Sequence, residues 1–202
     1  MKCVQDLSTV KRFSQSTMCV PESVLEHSGS ITLFALYIGE GLREEGIYVD
    51  LLILMKKAIL HDFDEIATGD VARPVKYFSK EIREQFDNLE HQNMRKIVKS
   101  FSDDKDPTMC GILRDWHHAK DGKEGSIVSL CDFSCVIYKL HDEVVMRGNK
   151  TMMRYFESNY FSKLNSMFAH VSLSLNLEHQ SKFLWEMQEQ ITAILLEIKN
   201  AN

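Results

Sequence analysis

Proline is scarce in this 202-residue chain, with residues only at positions 21, 74 and 107. The long segments between them show apolar residues recurring at three- and four-residue intervals, which predicts an all-α protein, and no run alternates in a way that demands a strand. Cysteine is also sparse. Cys3, Cys19, Cys110, Cys131 and Cys135 are odd in number and contain no CxxC pair, which excludes a zinc ribbon and predicts free thiols in a reducing compartment. Excess positive charge is missing: 24 basic residues face 29 acidic ones, for a net charge of −5. Polymeric DNA or RNA is therefore excluded as the expected partner, whereas a small phosphate ester in a locally basic pocket is compatible with this balance. Uninterrupted apolar runs are lacking as well, since the longest, around residues 47–60, is broken by Asp50, Lys56 and Lys57. With no basic region followed by an apolar signal core at the N-terminus, the chain is expected to be soluble and cytoplasmic, without a membrane partner.

No internal repeat, low-complexity tract or Ser/Gly linker divides the chain, so residues 1–202 are expected to form one domain. A domain of that size buries a sizeable core without disulfides or structural metals, and any metal it holds is catalytic before it is structural. The periodicity predicts helices near 4–14, 22–45, 48–66, 78–101, 109–118, 124–147, 151–168 and 176–199. Pro21 followed by Glu22 and Ser23 suits a helix start. The stretch TGDVARPVKY, residues 68–77, reads as a loop because Gly69 and Pro74 interrupt the preceding helix.

The stretch AILHDFDEIATGD, residues 58–70, sets His61 and Asp62 side by side after an apolar run and adds Asp64, Glu65 and Asp70 within eight positions. Imidazole nitrogen and carboxylate oxygen together suit a borderline divalent ion, and His27 and Asp132, on separate predicted helices, can complete its sphere inside a bundle. Glu65 follows His61 by four positions, shares its helix face and is the candidate for general acid/base work. Asp64 is expected to face solvent, and Asp70 to be a loop residue suited to capping. Arg73 and Lys76 add positive charge to the loop and read either as a solvated rim or as phosphate contacts.

Other tempting residues read as structural. A second His-Asp pair, His141-Asp142, lacks the apolar lead-in and the following glycine turn and reads as a solvated helix face. Adjacent His117 and His118 project apart on a helix; Trp116 reads as core, with pocket lining as the alternative role for His117. Cys131 and Cys135 are most simply small core residues. The stripe Phe183, Leu184, Met187, Ile191, Ile194, Leu195 and Ile198 suits packing on the bundle or on another subunit, and it is the basis for expecting a homo-oligomer.

The ordered set His27, His61-Asp62, Asp132 resembles the signature of the HD-domain phosphohydrolase superfamily. HDFDEIATGDVARPVKY resembles the HD-x-x-E-x-x-T-G-D-x-x-x-P-V-K-Y block of bacterial 5'-deoxynucleotidases of the YfbR type, and ESVLEHS and SIVSLCDFSCVIYKLHDEV resemble flanking segments of that family. The resemblance covers roughly residues 8–145. It implies a compact multi-helix bundle with one divalent transition ion (Co, Mn, Zn, Ni or Fe) held by His27, His61, Asp62 and Asp132, and Glu65 as the catalytic carboxylate. It further implies that Arg12 holds the substrate phosphate, that Phe13 stands where the family has a tryptophan against the sugar, and that Asp70 accepts from the sugar 3'-hydroxyl. The implied reaction is phosphate release from 2'-deoxynucleoside 5'-monophosphates. The alternatives are a dNTP triphosphohydrolase, for which Arg73 and Lys76 would grip the phosphate tail, and a binding module without turnover.

Overall fold

The computed structural model describes residues 2–71, 73–99, 107–179 and 181–201, with side chains except at 2–4, 73, 74 and 107–110. Helices α1 (Lys2–Thr9), α2 (Val24–Glu44), α3 (Leu51–Leu60), α4 (Glu65–Thr68), α5 (Arg73–Lys76) and α6 (Lys80–Lys99) make up the first half. Then come α7 (Pro107–His117), α8 (Gly122–His141), a π-turn (Asp142–Met146), a 3-10 turn (Lys150–Tyr155), α9 (Tyr160–Ser174) and α10 (Lys182–Asn200). Among the described residues the one β contact is an isolated bridge between Lys11 and Ser23, and no helix is long and apolar enough to cross a membrane.

Helix α8 is the hub, packing against α2, α3, α9 and α10. Its Ile127, Leu130, Cys131, Ile137 and Leu140 are fully buried, as are Ile31, Ala35, Ile38 and Leu42 of α2 and Leu54 and Ala58 of α3. Each large aliphatic side chain in this set stabilises the fold by about 1.5–3 kcal/mol. The C-terminal stripe is consumed within the chain: Leu184, Met187, Ile191, Leu195 and Ile198 are all buried in the same core. At the other end of α8, Gly125 lies so close to the Lys120 backbone that a Cβ there would meet its carbonyl carbon at 2.3 Å. This contact draws the 118–122 turn against the helix and, with it, Lys120.

Several boundaries differ from the periodic pattern, each for a local reason. The segment expected to be helical to residue 14 stops at Thr9, because residues 10–23 form a strap whose Lys11 bridges to Ser23. Helix α2 starts at Val24, beyond Pro21 and Glu22. Ser23 is its N-cap, accepting from the Glu26 N–H while the Glu26 carboxylate accepts from the Ser23 N–H, a capping box that satisfies two otherwise orphaned donors. The expected helix 48–66 breaks after Leu60 into a turn with Phe63 N–H on Leu60 O (3.0 Å) and Glu65 N–H on Asp62 O (3.2 Å). The expected loop 68–77 contains the short helix α5, with Pro74 in its first turn, where proline is tolerated. The expected helix 151–168 is instead a 3-10 turn followed by α9.

Glu143 in the π-turn, fully buried, bolts the strap to the bundle. Its carboxylate accepts from the N–H groups of Cys19 (2.7 Å) and Val20 (2.9 Å) and from Asn149 Nδ2 (2.8 Å), with Lys139 Nζ at 3.2 Å. Burial alone would raise its pKa, but Asn149, Val20, Cys19 and Lys139 together hold it at about 2. Because this lies below the ordinary 4.5, the carboxylate's contribution is complete above pH about 4.5 and is lost as pH falls towards 2. Glu143→Ala is expected to lower unfolding free energy by about 3 kcal/mol at neutral pH, measured by urea denaturation, with the gap to wild type narrowing below pH 4.

Candidate metal centre

Four side chains from three parts of the chain converge where α2, α3 and α8 meet. His27 lies in the first turns of α2, His61 closes α3, Asp62 follows it in the turn, and Asp132 sits in the middle of α8. One ligand atom from each lies within 4.8 Å of all the others. His27 Nε2 is 3.3 Å from Asp132 Oδ1 and 3.6 Å from Asp62 Oδ2, and His61 Nε2 is 2.9 Å from Asp62 Oδ2. Both Nε2 atoms are buried without a hydrogen-bond partner. Buried polar atoms are normally satisfied, so two orphaned imidazole nitrogens facing two carboxylates fit a divalent transition ion. His61 is oriented for this, as its Nδ1–H donates to Ala58 O at 2.8 Å and directs Nε2 inward; burial opposes charge there, but Asp62 raises the His61 pKa and favours a proton on Nε2 that a bound ion would replace.

The surrounding charges set the protonation states. Burial, then the Arg12 charge, push His27 below the ordinary histidine pKa, so its ring is neutral. Burial would raise Asp132, yet Lys120 and His27 hold it well below the usual carboxylate range. Asp62 is lowered in the same sense, with His61 outweighing the effect of burial. Glu65 behaves oppositely. Burial, reinforced by Asp62, Asp70 and Asp64, pushes it up to about 10, and its Oε2 is buried without a partner. A nearby divalent charge works against that rise.

Arg12 Nη1 lies 2.7 Å from His27 Nδ1 and 2.9 Å from Glu22 Oε2. An arginine only donates, so Nδ1 is the acceptor here. Coordination through Nε2 calls for the ring proton on Nδ1, and hence for release of Arg12 from the ring, leaving Glu22 as its partner. The Phe13 ring packs edge-on to Tyr155 at 5.1 Å, and Asp70 Oδ2 accepts the Phe13 N–H at 2.7 Å.

Not every residue singled out in the sequence lies where expected. Asp64 is buried rather than solvated, accepting from Trp116 Nε1 at 3.0 Å, because the turn after Leu60 rotates it towards α7. Asp70 bridges to the strap. Lys76 is ion-paired with Glu90, while the Arg73 side chain lies outside the described residues. His141 pairs with Glu197 and Asp142 with Arg147, as a surface reading requires. Trp116 is buried, and His117 lines a cavity of about 400 Å³ that runs from His61, Asp62 and Glu65 to His91 on α6. Sequence reasoning missed Lys120, whose Nζ is 2.6 Å from Asp132 Oδ2, and Glu22. Neither stands in a recognisable spacing; Gly125, which admits the Lys120 backbone, is the nearest thing to a signal.

A helical bundle carrying this His, His-Asp, Asp cluster at its helix junction defines an HD-domain phosphohydrolase. The solved HD-domain phosphohydrolase of Listeria innocua superposes with a TM-score of 0.73 at 21% identity, covering 100% of this chain and 97% of the other. The cyanophage S-2L HD phosphohydrolase DatZ, bound to dA and one catalytic Zn2+ ion, superposes with a TM-score of 0.57 at 14% identity, over 98% and 96% of the two chains. The 5'-deoxynucleotidase YfbR of Shigella boydii serotype 18 is 24% identical over 180 residues, covering 83% of this chain and 89% of that relative. Residues 1–182 match the 5'-deoxynucleotidase YfbR-like family, and the chain belongs to it.

Titration of chelator-treated protein with Mn2+ or Co2+, followed by calorimetry, is expected to show one tight site. Asp132→Ala and His61→Ala should each weaken it by more than the ~10–100-fold that loss of an outer partner costs, and affinity should fall from pH 7 to pH 5 as protons compete for the imidazoles.

Proposed function

We propose that this protein hydrolyses 2'-deoxynucleoside 5'-monophosphates to deoxynucleoside and inorganic phosphate. The observation that carries the reading is the convergence of His27, His61, Asp62 and Asp132 on one point with both Nε2 atoms orphaned, beside a buried carboxyl and an arginine. His27, His61, Asp62 and Asp132 would hold the metal. When bound, a divalent ion supplies Lewis acidity, easing ionisation of water and offsetting charge on the phosphoryl oxygens.

The chain's own residues do the rest. Arg12, freed from His27, binds two phosphate oxygens through its planar fork and orients phosphorus for attack. Glu65, beside the cluster, is the acid that protonates the O5' leaving oxygen as the P–O5' bond breaks, and its carboxylate then takes up the proton released by the water that forms the new P–O bond. The Phe13 ring, supported by Tyr155, offers a flat face to the deoxyribose.

Monophosphates are favoured over triphosphates by the charges along the cavity. Lys76 is tied to Glu90, and Arg83 to Asp87 at 2.6 Å, so these two basic side chains on the cavity wall are already ion-paired. The same wall carries Asp64 and Asp121, which disfavours a trailing pyrophosphate.

Chromatography of products from metal-loaded protein incubated with dNMPs, NMPs and dNTPs tests this reading. Deoxynucleoside plus phosphate from the dNMPs is the expected result. Intact triphosphate released from dNTPs, with monophosphates untouched, would overturn it in favour of the triphosphohydrolase. Glu65→Gln should lower kcat by roughly 10²–10⁴-fold while metal affinity stays at the wild-type value; activity surviving this change removes Glu65 from its role.

A further inference from the structure

The strap between α1 and α2 carries Arg12, which lies against His27, and next to it Phe13, and its geometry is not self-supporting. Phe13 has φ 51°, a left-handed conformation disfavoured for a bulky aromatic residue and maintained only where its surroundings impose it. On one side Arg12 N–H donates to Glu22 O at 2.9 Å, and on the other Ser16 N–H donates to Phe13 O at 2.8 Å. Glu143 anchors the strap farther along, at Cys19 and Val20. The N–H of Phe13 itself finds its acceptor 57 positions away in sequence, in Asp70 Oδ2 at 2.7 Å.

Asp70 reaches this point because Gly69, at φ 71°, ends α4 in a conformation that L side chains rarely adopt. Its short carboxylate accepts a backbone N–H, a charge-assisted bond stronger than one between neutral groups. Arg12 is bonded directly to Phe13, and its guanidinium stacks over the Phe13 ring at 5.1 Å. A change in the Phe13 turn therefore moves the phosphate-binding group as well as the ring.

We propose that Asp70 is a positioning residue for Arg12 and Phe13, holding the left-handed turn that aims the guanidinium at the substrate phosphate. This rests on the deoxynucleotidase reading above. It is distinct from a bond between Asp70 and the sugar 3'-hydroxyl, because the Phe13 N–H engages Oδ2 and the carboxylate has a second oxygen for a sugar. The two roles separate when the substrate has no 3'-hydroxyl.

The test compares kcat and KM of metal-loaded wild type, Asp70→Ala and Asp70→Asn on a 2'-deoxynucleoside 5'-monophosphate and on its 2',3'-dideoxy counterpart. With Asp70 as a clamp, Asp70→Ala raises KM about tenfold or more on both substrates, and Asp70→Asn, whose amide oxygen still accepts the Phe13 N–H, recovers most of the loss on both. A loss confined to the substrate bearing the 3'-hydroxyl overturns the proposal. Amide hydrogen exchange over residues 10–16 in metal-free protein provides a readout independent of activity. Faster exchange in Asp70→Ala but not in Asp70→Asn supports the clamp, and equal exchange in all three proteins rejects it. Should the wild type leave monophosphates intact, the deoxynucleotidase reading fails by itself, and the exchange result still decides whether Asp70 holds the turn.

Discussion

Two carboxylates held close together and largely withdrawn from bulk water need positive charge beside them, and the molecule is organised around that need at Asp62 and Asp132. Lys120 reaches Asp132 from the turn before α8, and Arg12 lies on the far side of His27 with Glu22 behind it. The inward-facing Nε2 atoms of His27 and His61 complete an environment suited to a cation. The distances are imposed from beneath. Ile31 and Ala35 of α2, Leu54 and Ala58 of α3, and Ile127 and Cys131 of α8 belong to one buried cluster, so the four converging side chains ride on helices that cannot separate without opening the core.

Acidic side chains do three different jobs within this small volume, and environment assigns them. Asp62 and Asp132 are surrounded by histidine and lysine and remain ionised, the state in which a carboxylate can hold a cation. Glu65 is crowded by burial and by other carboxylates and keeps its proton. Glu143 and Asp70 accept backbone N–H groups from the strap, at Cys19 and Val20 and at Phe13. Two carboxylates at separate points thus hold the segment that carries Arg12, which links the stability of the strap to the placement of the guanidinium beside His27.

Much of this was legible before folding was considered. Helical periodicity located most of the elements, since a helix that buries one face must repeat its apolar residues. It erred where the chain turns between apolar positions without losing the repeat, after Leu60 and again at 156–159. The cluster of His27, His61, Asp62 and Asp132, able to hold an ion, was legible because ion chemistry restricts residue types. His141-Asp142 could be set aside for want of the same context, yet the glutamate next to it, Glu143, is a buried anchor that no spacing rule marks. Its partners at 19 and 20 are brought to it only by packing of the strap on the π-turn, while Asn149 reaches back from just beyond that turn.

By itself the sequence determined the helical class and the residues able to ligate an ion, because periodicity and donor chemistry are properties of residue order and type. Only the tertiary structure decided that Lys120 faces Asp132, that Lys76 is neutralised by Glu90, that Asp64 turns inward to Trp116, and that Asp70 holds Phe13. Those pairings join positions up to 57 residues apart in sequence. Their strength depends on distance and burial, quantities that exist only after the helices have packed.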